Sequence, residues 1–375
     1  MEHFQISVKP VKMDSGFRRN DEERSGLSYS VIPAKAGIQV LRSPNAPLRF
    51  ILLLLLLLPS PALAGPPDAK SVYGATPAAT FTLYALDPDL LAGWNTPLRD
   101  YEKKFIPAAY HGLPVLGGWY GQGFVPDREV LLASGVKRAF YISAGFSDSQ
   151  PITETLAKLG MEVTSLPCSK LADFAPCFRG MGRAFNREER GEALASYAEA
   201  ALSRVGQALA SLPPEKRTRI YVALEADGLA SVCRGSERAE VFGLAGAVSV
   251  HECPAGAEEG FLRVTFEQLM AYAPEVILVY HPDLMRKIPH DPKWQQLAAV
   301  RQGRLHFMPR GPFGWLERPA GYMRLIGGQW LANLLHPDYF QADIRAESAA
   351  FMKLFFSLDL TEEQIDELFE PYGTF

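Results

Sequence analysis

The stretch 187-REERGEALASYAEAALSRVGQALASL-212 decides how the chain is organised. Apolar residues recur in it every three or four positions, which predicts one helix with a single buried stripe formed by Leu194, Tyr197, Ala201, Val205, Ala208 and Leu212. Two prolines at 213 and 214 would stop this helix. At a rise of ~1.5 Å per residue it would span ~35–40 Å, about the width of a small domain. Such a helix is expected to be a stiff strut between two lobes; the alternative is a crossover helix within one larger sheet.

Short apolar runs alternate with helical patterns on both sides of this stretch, which is typical of parallel sheets covered by helices. The predicted strands are 80–86, 138–143, 161–167, 219–225, 275–280 and 303–308. The predicted helices beside them are 127–134, 152–159, 236–245, 265–272, 292–300 and 321–335. The sequence therefore predicts an α/β fold with one parallel sheet in each half.

The chain divides into four predicted segments. Residues 1–64 form a leader, 65–185 an N-terminal lobe, 186–213 the bridging helix and 214–375 a C-terminal lobe with a helical tail. In the tail, Thr361 begins the pattern "TEEQ", a capping box that starts a final helix.

The leader is expected to contribute nothing to the folded protein. A basic residue precedes the aliphatic run 51–58, and a small-x-small pattern at Ala62 and Ala64 predicts a secretory signal cleaved before Gly65. The run is shorter than the ~20 apolar residues of a spanning helix, and no cysteine follows it, so neither a membrane anchor nor a lipid anchor is predicted. The part over 13–39 resembles translated repeat DNA and is interpreted as a spurious extension; a long genuine leader is the alternative.

Charge and motifs exclude several classes of function. The formal net charge of the chain is −4, whereas nucleic-acid-binding proteins present a basic face. The sequence lacks G-x-S-x-G, H-E-x-x-H, the phosphate loop and G-x-G-x-x-G after a strand. No catalytic residue, no resident cofactor and no nucleic-acid partner are predicted.

Export places the four cysteines in an oxidising compartment, where pairing is the default expectation. The favoured pairs are Cys168 with Cys177 and Cys233 with Cys253, and free or buried thiols are the alternative. Neither spacing is that of a zinc ribbon.

The histidines are scattered along the chain. His111, His281, His290 and Asp291 are the residues that could converge on a metal from different loops. Isolated histidines in turns are the more common case, so no metal site is predicted.

Aromatic loops carry the prediction of a ligand site. In parallel sheets the ligand crevice lies at the carboxyl ends of the strands, so loops after strands are where binding residues belong. Tryptophan and tyrosine can stack on a planar ligand, and arginine can hold an anionic group. The residues predicted from these loops are Trp94, Trp119, Tyr120, Trp315, Arg318 and Arg324. The alternative is that Trp119 and Trp315 fill the core beneath their loops.

Four segments together resemble the periplasmic substrate-binding proteins of ABC importers for iron chelates and cobalamin. They are "LYALDPDLLAGWNTPL" (83–98), "LPVLGGWYGQGFVPDREVLLASG" (113–135), "VTFEQLMAYAPEVILV" (264–279) and the stretch 291–340 containing "RGPFGWLERPAGYMRL". The resemblance implies two Rossmann-like lobes bridged by one long helix. It also implies one acidic residue on each lobe that docks onto the permease, here Glu129 and Glu267, although an exposed Glu in a first helical turn is common without any partner.

Where relatives of this type tend to read "RPPSVNRL", this chain has "RPAGYMRL". Tyr322 is therefore a further predicted ligand residue, as a phenolate on Fe(III) or as a stacking surface. The function implied is that of a monomeric periplasmic receptor that captures a ferric siderophore or corrinoid and delivers it to an ABC permease at the inner membrane. The alternatives are a receptor for haem or chelated nickel or cobalt, and an enzyme acting on a metal chelate through Glu225 and Asp227.

Overall fold

Parallel strands followed by helices build both halves of the chain in the computed structural model, which describes residues 71–119, 125–143, 150–254, 260–317 and 319–370. The strands are β1 (Val72–Gly74), β2 (Arg138–Ile142), β3 (Glu162–Leu166), β4 (Thr218–Ala223), β5 (Ala230–Val232), β6 (Ala247–Ser249), β7 (Phe261–Arg263), β8 (Val276–Val279) and β9 (Leu305–Phe307).

The helices complete the described part of the chain. They are α1 (Pro77–Leu86), α2 (Asp100–Lys103), α3 (Arg128–Ala133), α4 (Gln150–Lys158), α5 (Phe174–Phe185), α6 (Glu188–Ala208), α7 (Glu240–Leu244), α8 (Phe266–Tyr272), α9 (Pro282–Lys287), α10 (Ala298–Arg301), α11 (Arg324–Leu335), α12 (Ile344–Phe356) and α13 (Glu362–Phe369). None of them is long and apolar enough to cross a bilayer.

Two parallel sheets form, as predicted. The first has the order β1-β2-β3 and the second the order β6-β4-β8-β9, while β5 and β7 pair as an antiparallel hairpin. Every residue of β8 is buried, which is typical of a parallel strand covered on both faces. The predicted α/β class with parallel sheets is confirmed.

Helix α6 is the predicted long helix, and it contacts α1 and α5 of the first half and α7 and α11 of the second. It packs closely along α5, because a Cβ on Gly191 would stand 2.6 Å from the carbonyl oxygen of Phe178. The helix ends at Ala208, earlier than predicted, although Leu212 beyond it is still buried. All described residues fall in one compact unit, and the lobe boundaries at 185 and 213 stay predictions.

The prediction of a strand over 80–86 is wrong, since this segment is part of α1. Thr76 caps the helix by accepting a hydrogen bond from the backbone N–H of Ala79 at 3.2 Å, and Pro77 occupies the first turn. The helix contacts β1, β2, α5 and α12. Because it is covered on nearly all sides, its sequence carries no amphipathic pattern.

The other predicted elements are found with local differences, whereas the sequence did not predict β5, β6, β7, α2, α5 and α9. The predicted helix over 292–300 is a 3₁₀ turn, Trp294–Gln296, followed by the short α10. The predicted helix over 236–245 likewise begins with a 3₁₀ turn before α7. In the tail, the capping box of Thr361 and Gln364 is confirmed at the start of α13.

Both predicted disulfides are confirmed. Cys168 is bonded to Cys177 with a Cα–Cα distance of 5.5 Å, and Cys233 to Cys253 with 5.3 Å. The first bond joins the loop after β3 to α5, and the second joins the loops after β5 and β6.

Candidate functional site

Four side chains that we call the arginine–tyrosine cluster, Arg99, Tyr101, Tyr280 and Arg310, meet at the carboxyl ends of β8 and β9. Tyr280 directly follows β8, and Arg310 stands three residues after β9. The other two come from the first half, at the start of α2. The carboxyl edge of a parallel sheet is where ligands bind in open α/β folds. The cluster is therefore the candidate ligand site.

The two guanidinium groups of the cluster lie against the ring of Tyr101. The guanidinium carbon of Arg310 lies 4.3 Å from the centroid of the Tyr101 ring, and that of Arg99 lies 5.9 Å from the same centroid. Nη1 of Arg99 also donates a hydrogen bond of 2.9 Å to the Tyr101 hydroxyl. Glu102 anchors the segment, because its Oε2 accepts the backbone N–H of Arg99 at 2.6 Å. Contacts with two guanidinium groups hold the Tyr101 ring in one orientation.

Burial shapes the protonation of these groups. It lowers the pKa of Arg310, an effect that Tyr101 and Tyr280 oppose. It raises the pKa of Tyr101, with Glu102 adding to the rise, so the phenol stays protonated at neutral pH. Burial also raises the pKa of Glu102, while the hydrogen bond from the backbone of Arg99 counteracts it. At neutral pH, guanidinium and phenol groups thus offer hydrogen-bond donors, which suit an anionic ligand.

At the carboxyl end of β1, the loop carrying Trp119 is held by backbone and amide contacts. The N–H of Trp119 donates to the carbonyl of Ala75 at 2.9 Å, and Nδ2 of Asn95 donates to the carbonyls of Gly74 and Gly117 at 2.8 Å each. The indole packs edge-on against Tyr73 and remains partly exposed. Trp119 thus lies at a strand end, as predicted, and its contact with a ligand stays a prediction.

Three predicted ligand aromatics lie in the core instead. Trp94 is 2% exposed and donates its Nε1–H to the carbonyl of Tyr110 at 2.8 Å. Trp315 is fully buried and donates its Nε1–H to the carbonyl of Gly311 at 3.0 Å. Tyr322 is 1% exposed and stacks on Phe355 with a centroid distance of 5.1 Å. Each ring is covered by protein, which favours the alternative that these aromatics fill the core, and their contact with a ligand stays a prediction.

Arg324 is also fully buried, contrary to its prediction as an anion-binding residue. Its guanidinium donates to the carbonyls of Gly321 and Glu237, each at 3.2 Å, and to that of Ser169. It lies 5.3 Å from the centroid of the Phe174 ring. The side chain therefore joins backbone segments of the two halves. The predicted residues Tyr120 and Arg318 lie outside the described residues.

The two predicted docking residues are exposed in first helical turns. Glu129 follows Asp127, whose Oδ1 accepts the N–H of Glu129 at 2.7 Å and caps α3. Glu267 lies in the capped first turn of α8, and hydrogen bonds from its own backbone N–H and from Thr265 lower its pKa. Both carboxylates are available to a partner.

The residues considered for a metal, His111, His281, His290 and Asp291, are not gathered into one group. Within the described ranges, one group has three metal-type ligands close together: Cys233, His251 and Cys253. Its two sulfurs form a disulfide.

A surface cavity of about 290 Å³ lies at the opposite edge of the second sheet. Arg217 and Glu275, which precede β4 and β8, line it together with His336 and Asp338. It lies at the amino ends of the strands and mixes both signs of charge, so it does not compete with the cluster as a ligand site.

The sequence reasoning missed all four cluster residues. The residues predicted to bind the ligand were large aromatics and arginines further along the loops, and residues next to the strand ends were passed over. The signal was present, because Tyr280 is the last residue of the predicted strand 275–280 and Arg310 stands two residues after the predicted strand 303–308. Arg99 and Tyr101 had no such signal, since they follow no strand.

Comparisons with known proteins identify the family. Residues 143–311 match the model of the periplasmic binding protein family. An ABC transporter solute-binding protein from Sulfurospirillum deleyianum is similar with a TM-score of 0.75 and 30% identity, covering 80% of this chain and 94% of that one.

A molybdate-binding protein, MolA, of Haemophilus influenzae is 28% identical over 159 residues, which are 42% of this chain and 44% of that protein. The chain therefore matches less than half of this relative by sequence. The molybdate-bound structure of MolA has the same fold, with a TM-score of 0.64 at 19% identity over 79% of this chain and 95% of that one. These relatives are solute-binding proteins, and the chain belongs to the periplasmic binding protein family that serves ABC transporters.

Proposed function

We propose that this protein is a periplasmic receptor that captures an anionic ligand at the arginine–tyrosine cluster and delivers it to an ABC permease. The observation that carries the proposal is the convergence of Arg99 and Arg310 on the ring of Tyr101, at the carboxyl ends of β8 and β9. Guanidinium groups bind oxyanions and carboxylates through paired N–H donors. Two of them from different halves of the chain can hold one anion between the halves.

The ligand we favour is a small tetrahedral oxyanion of the molybdate class. The similarity to a molybdate-binding relative supports this class. The close packing of the cluster supports it too, because Tyr280 and Arg310 are 3% and 4% exposed and leave little room for a large ligand. The second candidate is an anionic metal chelate, as the sequence resemblance implied. The partly exposed ring of Trp119 favours that candidate, because an indole can stack on a planar chelate.

Isothermal titration of the purified chain separates these candidates. Molybdate, tungstate and sulfate form one arm, and a ferric siderophore, cyanocobalamin and haemin form the other. We expect the oxyanions to bind and the chelates to leave the titration flat. Binding of the chelates alone would replace the oxyanion by the metal chelate as the favoured ligand. No binding of any of these ligands would refute the proposed site.

Arg310→Gln is the decisive variant. Loss of a charge-assisted hydrogen bond costs ~1.5–3 kcal/mol, which corresponds to a ~10–100-fold weaker Kd. Arg304→Gln is the matched control, since Arg304 is exposed and immediately precedes the same strand at its amino end. Equal affinities of the two variants would contradict the assignment of Arg310.

The docking surface of the first half includes apolar residues as well as Glu129. Val125 is 77% exposed, Leu132 57% and Val130 41%, all on or beside α3. Apolar side chains around a carboxylate suit a protein partner with a basic, partly apolar surface. We assign this surface, with Glu267 of the second half, to contact with the permease.

A monomer exported by the signal at 51–64 fits this role. Of Glu225 and Asp227, the two residues considered as acid or base of an enzyme, Asp227 is held in an ion pair with Arg263. Mass spectrometry of excess ligand after incubation with the protein should return the ligand unchanged, and accumulation of a product would show that the chain is an enzyme.

A further inference from the structure

We propose that Cys233, Cys253 and His251 form a zinc-binding site when the two cysteines are thiols, and that the disulfide abolishes this site. The two sulfurs and a ring nitrogen of His251 lie within 4.8 Å of one another. Two thiolates and one imidazole are a ligand set that Zn²⁺ accepts, with its fourth position left to water.

The histidine is positioned for this role by a contact on its other side. His251 is 5% exposed, and its Nδ1 is 3.1 Å from the hydroxyl of Tyr272. Its Nε2 is buried and makes no hydrogen bond with any described residue. A buried ring nitrogen without a partner is uncommon, because no hydrogen bond within the protein compensates for its lost contact with water. Metal-ligating histidines typically hold their second nitrogen in such a hydrogen bond, which orients the ring.

The backbone around the three residues is fixed independently of the disulfide. The N–H of Arg234 donates to the carbonyl of His251 at 2.7 Å, and its Nε donates to the carbonyl of Ser249 at 2.8 Å. The N–H of Cys233 donates to the carbonyl of Gly260 at 2.9 Å. These bonds keep the loops after β5 and β6 together when the sulfurs separate. With Zn–S bonds of ~2.3 Å in tetrahedral geometry, the sulfurs would stand ~3.8 Å apart.

The binding step needs no oxidant or reductant, because cysteines enter the chain as thiols. Two thiols release two protons, both thiolates and the neutral His251 nitrogen bind one Zn²⁺, and no electron is transferred. Metal binding and disulfide formation compete for the same two sulfurs.

The test uses Co²⁺ as a spectroscopic substitute for Zn²⁺ in the full chain. The protein is reduced with a phosphine, freed of reductant without oxygen, and checked for four thiols and for native circular dichroism. We expect thiolate-to-cobalt charge-transfer absorption in the near ultraviolet from one tightly bound Co²⁺, displaced by one equivalent of Zn²⁺. The oxidised chain should show no such band.

The first disulfide provides the matched control, because no described histidine forms a metal-type group with it. Cys168→Ser with Cys177→Ser should keep the band, and Cys233→Ser with Cys253→Ser should lose it. His251→Gln should weaken Co²⁺ binding at least 10-fold, and Tyr272→Phe should weaken it ~10-fold through loss of the orienting contact. The proposal fails if the reduced chain gives no band, if His251→Gln binds as tightly as the parent, or if the band follows Cys168 and Cys177.

Discussion

Replacing Arg324 by Met should destabilise the protein strongly and leave the ligand-binding surface in place. The side chain is fully buried, and its guanidinium donates hydrogen bonds to the carbonyls of Ser169, Glu237 and Gly321. Methionine has a similar length and no donor, so the variant removes the hydrogen bonds while it keeps most of the volume.

The expected loss follows from the groups left behind. Each buried acceptor without a donor costs ~1–3 kcal/mol. Some of the three carbonyls will regain water, so the total is put at ~3–5 kcal/mol, the range found when one partner of a buried charged group is removed. With an unfolding entropy of ~2.1 cal/mol/K per residue over a folded part of ~300 residues, that loss should lower Tm by ~5–8 °C.

Urea unfolding followed by circular dichroism measures this loss, with titration of the ligand as the second readout. Arg263→Met is the control, because Arg263 is exposed and pairs with the half-exposed Asp227 at the surface, where an ion pair contributes ~0–1 kcal/mol. If Arg324→Met unfolded at the same urea concentration as the control but lost ligand affinity, Arg324 would be a ligand residue, as the sequence first suggested, and its burial would not reflect its role.

Two further predictions concern the disulfides and the docking surface. Replacing Cys168 and Cys177 together by Ala should cost ~2–4 kcal/mol in the free energy of unfolding, measured by the same urea transition; an unchanged midpoint would show that this bond adds nothing to stability. Charge reversal of Glu129 and Glu267 to Arg should abolish transport in vesicles that contain the permease while the Kd of the ligand stays the same. Undiminished transport by the double variant would remove both residues from the docking surface.

Strands and helices with clear boundaries could be predicted from the sequence, whereas most of α1 was predicted as a strand. Thr76 and Pro77 are a standard helix start, yet the following residues are β-branched, aromatic or aliphatic and suggested a strand. Seven of the ten residues of α1 are buried, so no polar face exists to reveal the helical period. Strand β1, only three residues long, was missed for the opposite reason, because so short a run carries no pattern.

Residue type could not show which loop residues bind and which fill the core. Trp315 and Trp119 have the same chemistry, and both follow glycines in loops beside strand ends. The difference arises from contacts with distant residues, since Trp315 meets Phe369 of α13, with ring centroids 5.6 Å apart. No local pattern records that the tail returns to this loop.

The stretch "RGPFGWLERP" after β9 contains a residue of the candidate site, Arg310, and a core residue, Trp315. The hydrogen bonds of this loop explain why the two side chains lie in different places. The backbone N–H of Trp315 donates to the carbonyl of Pro309, and its indole donates to the carbonyl of Gly311, so the loop closes on itself and carries the tryptophan inward. Arg310 lies inside that closed turn, and its guanidinium reaches the ring of Tyr101. In this loop, Arg310 beside the strand end therefore lies at the edge that carries the candidate site, and the bulky Trp315 further on returns to the core.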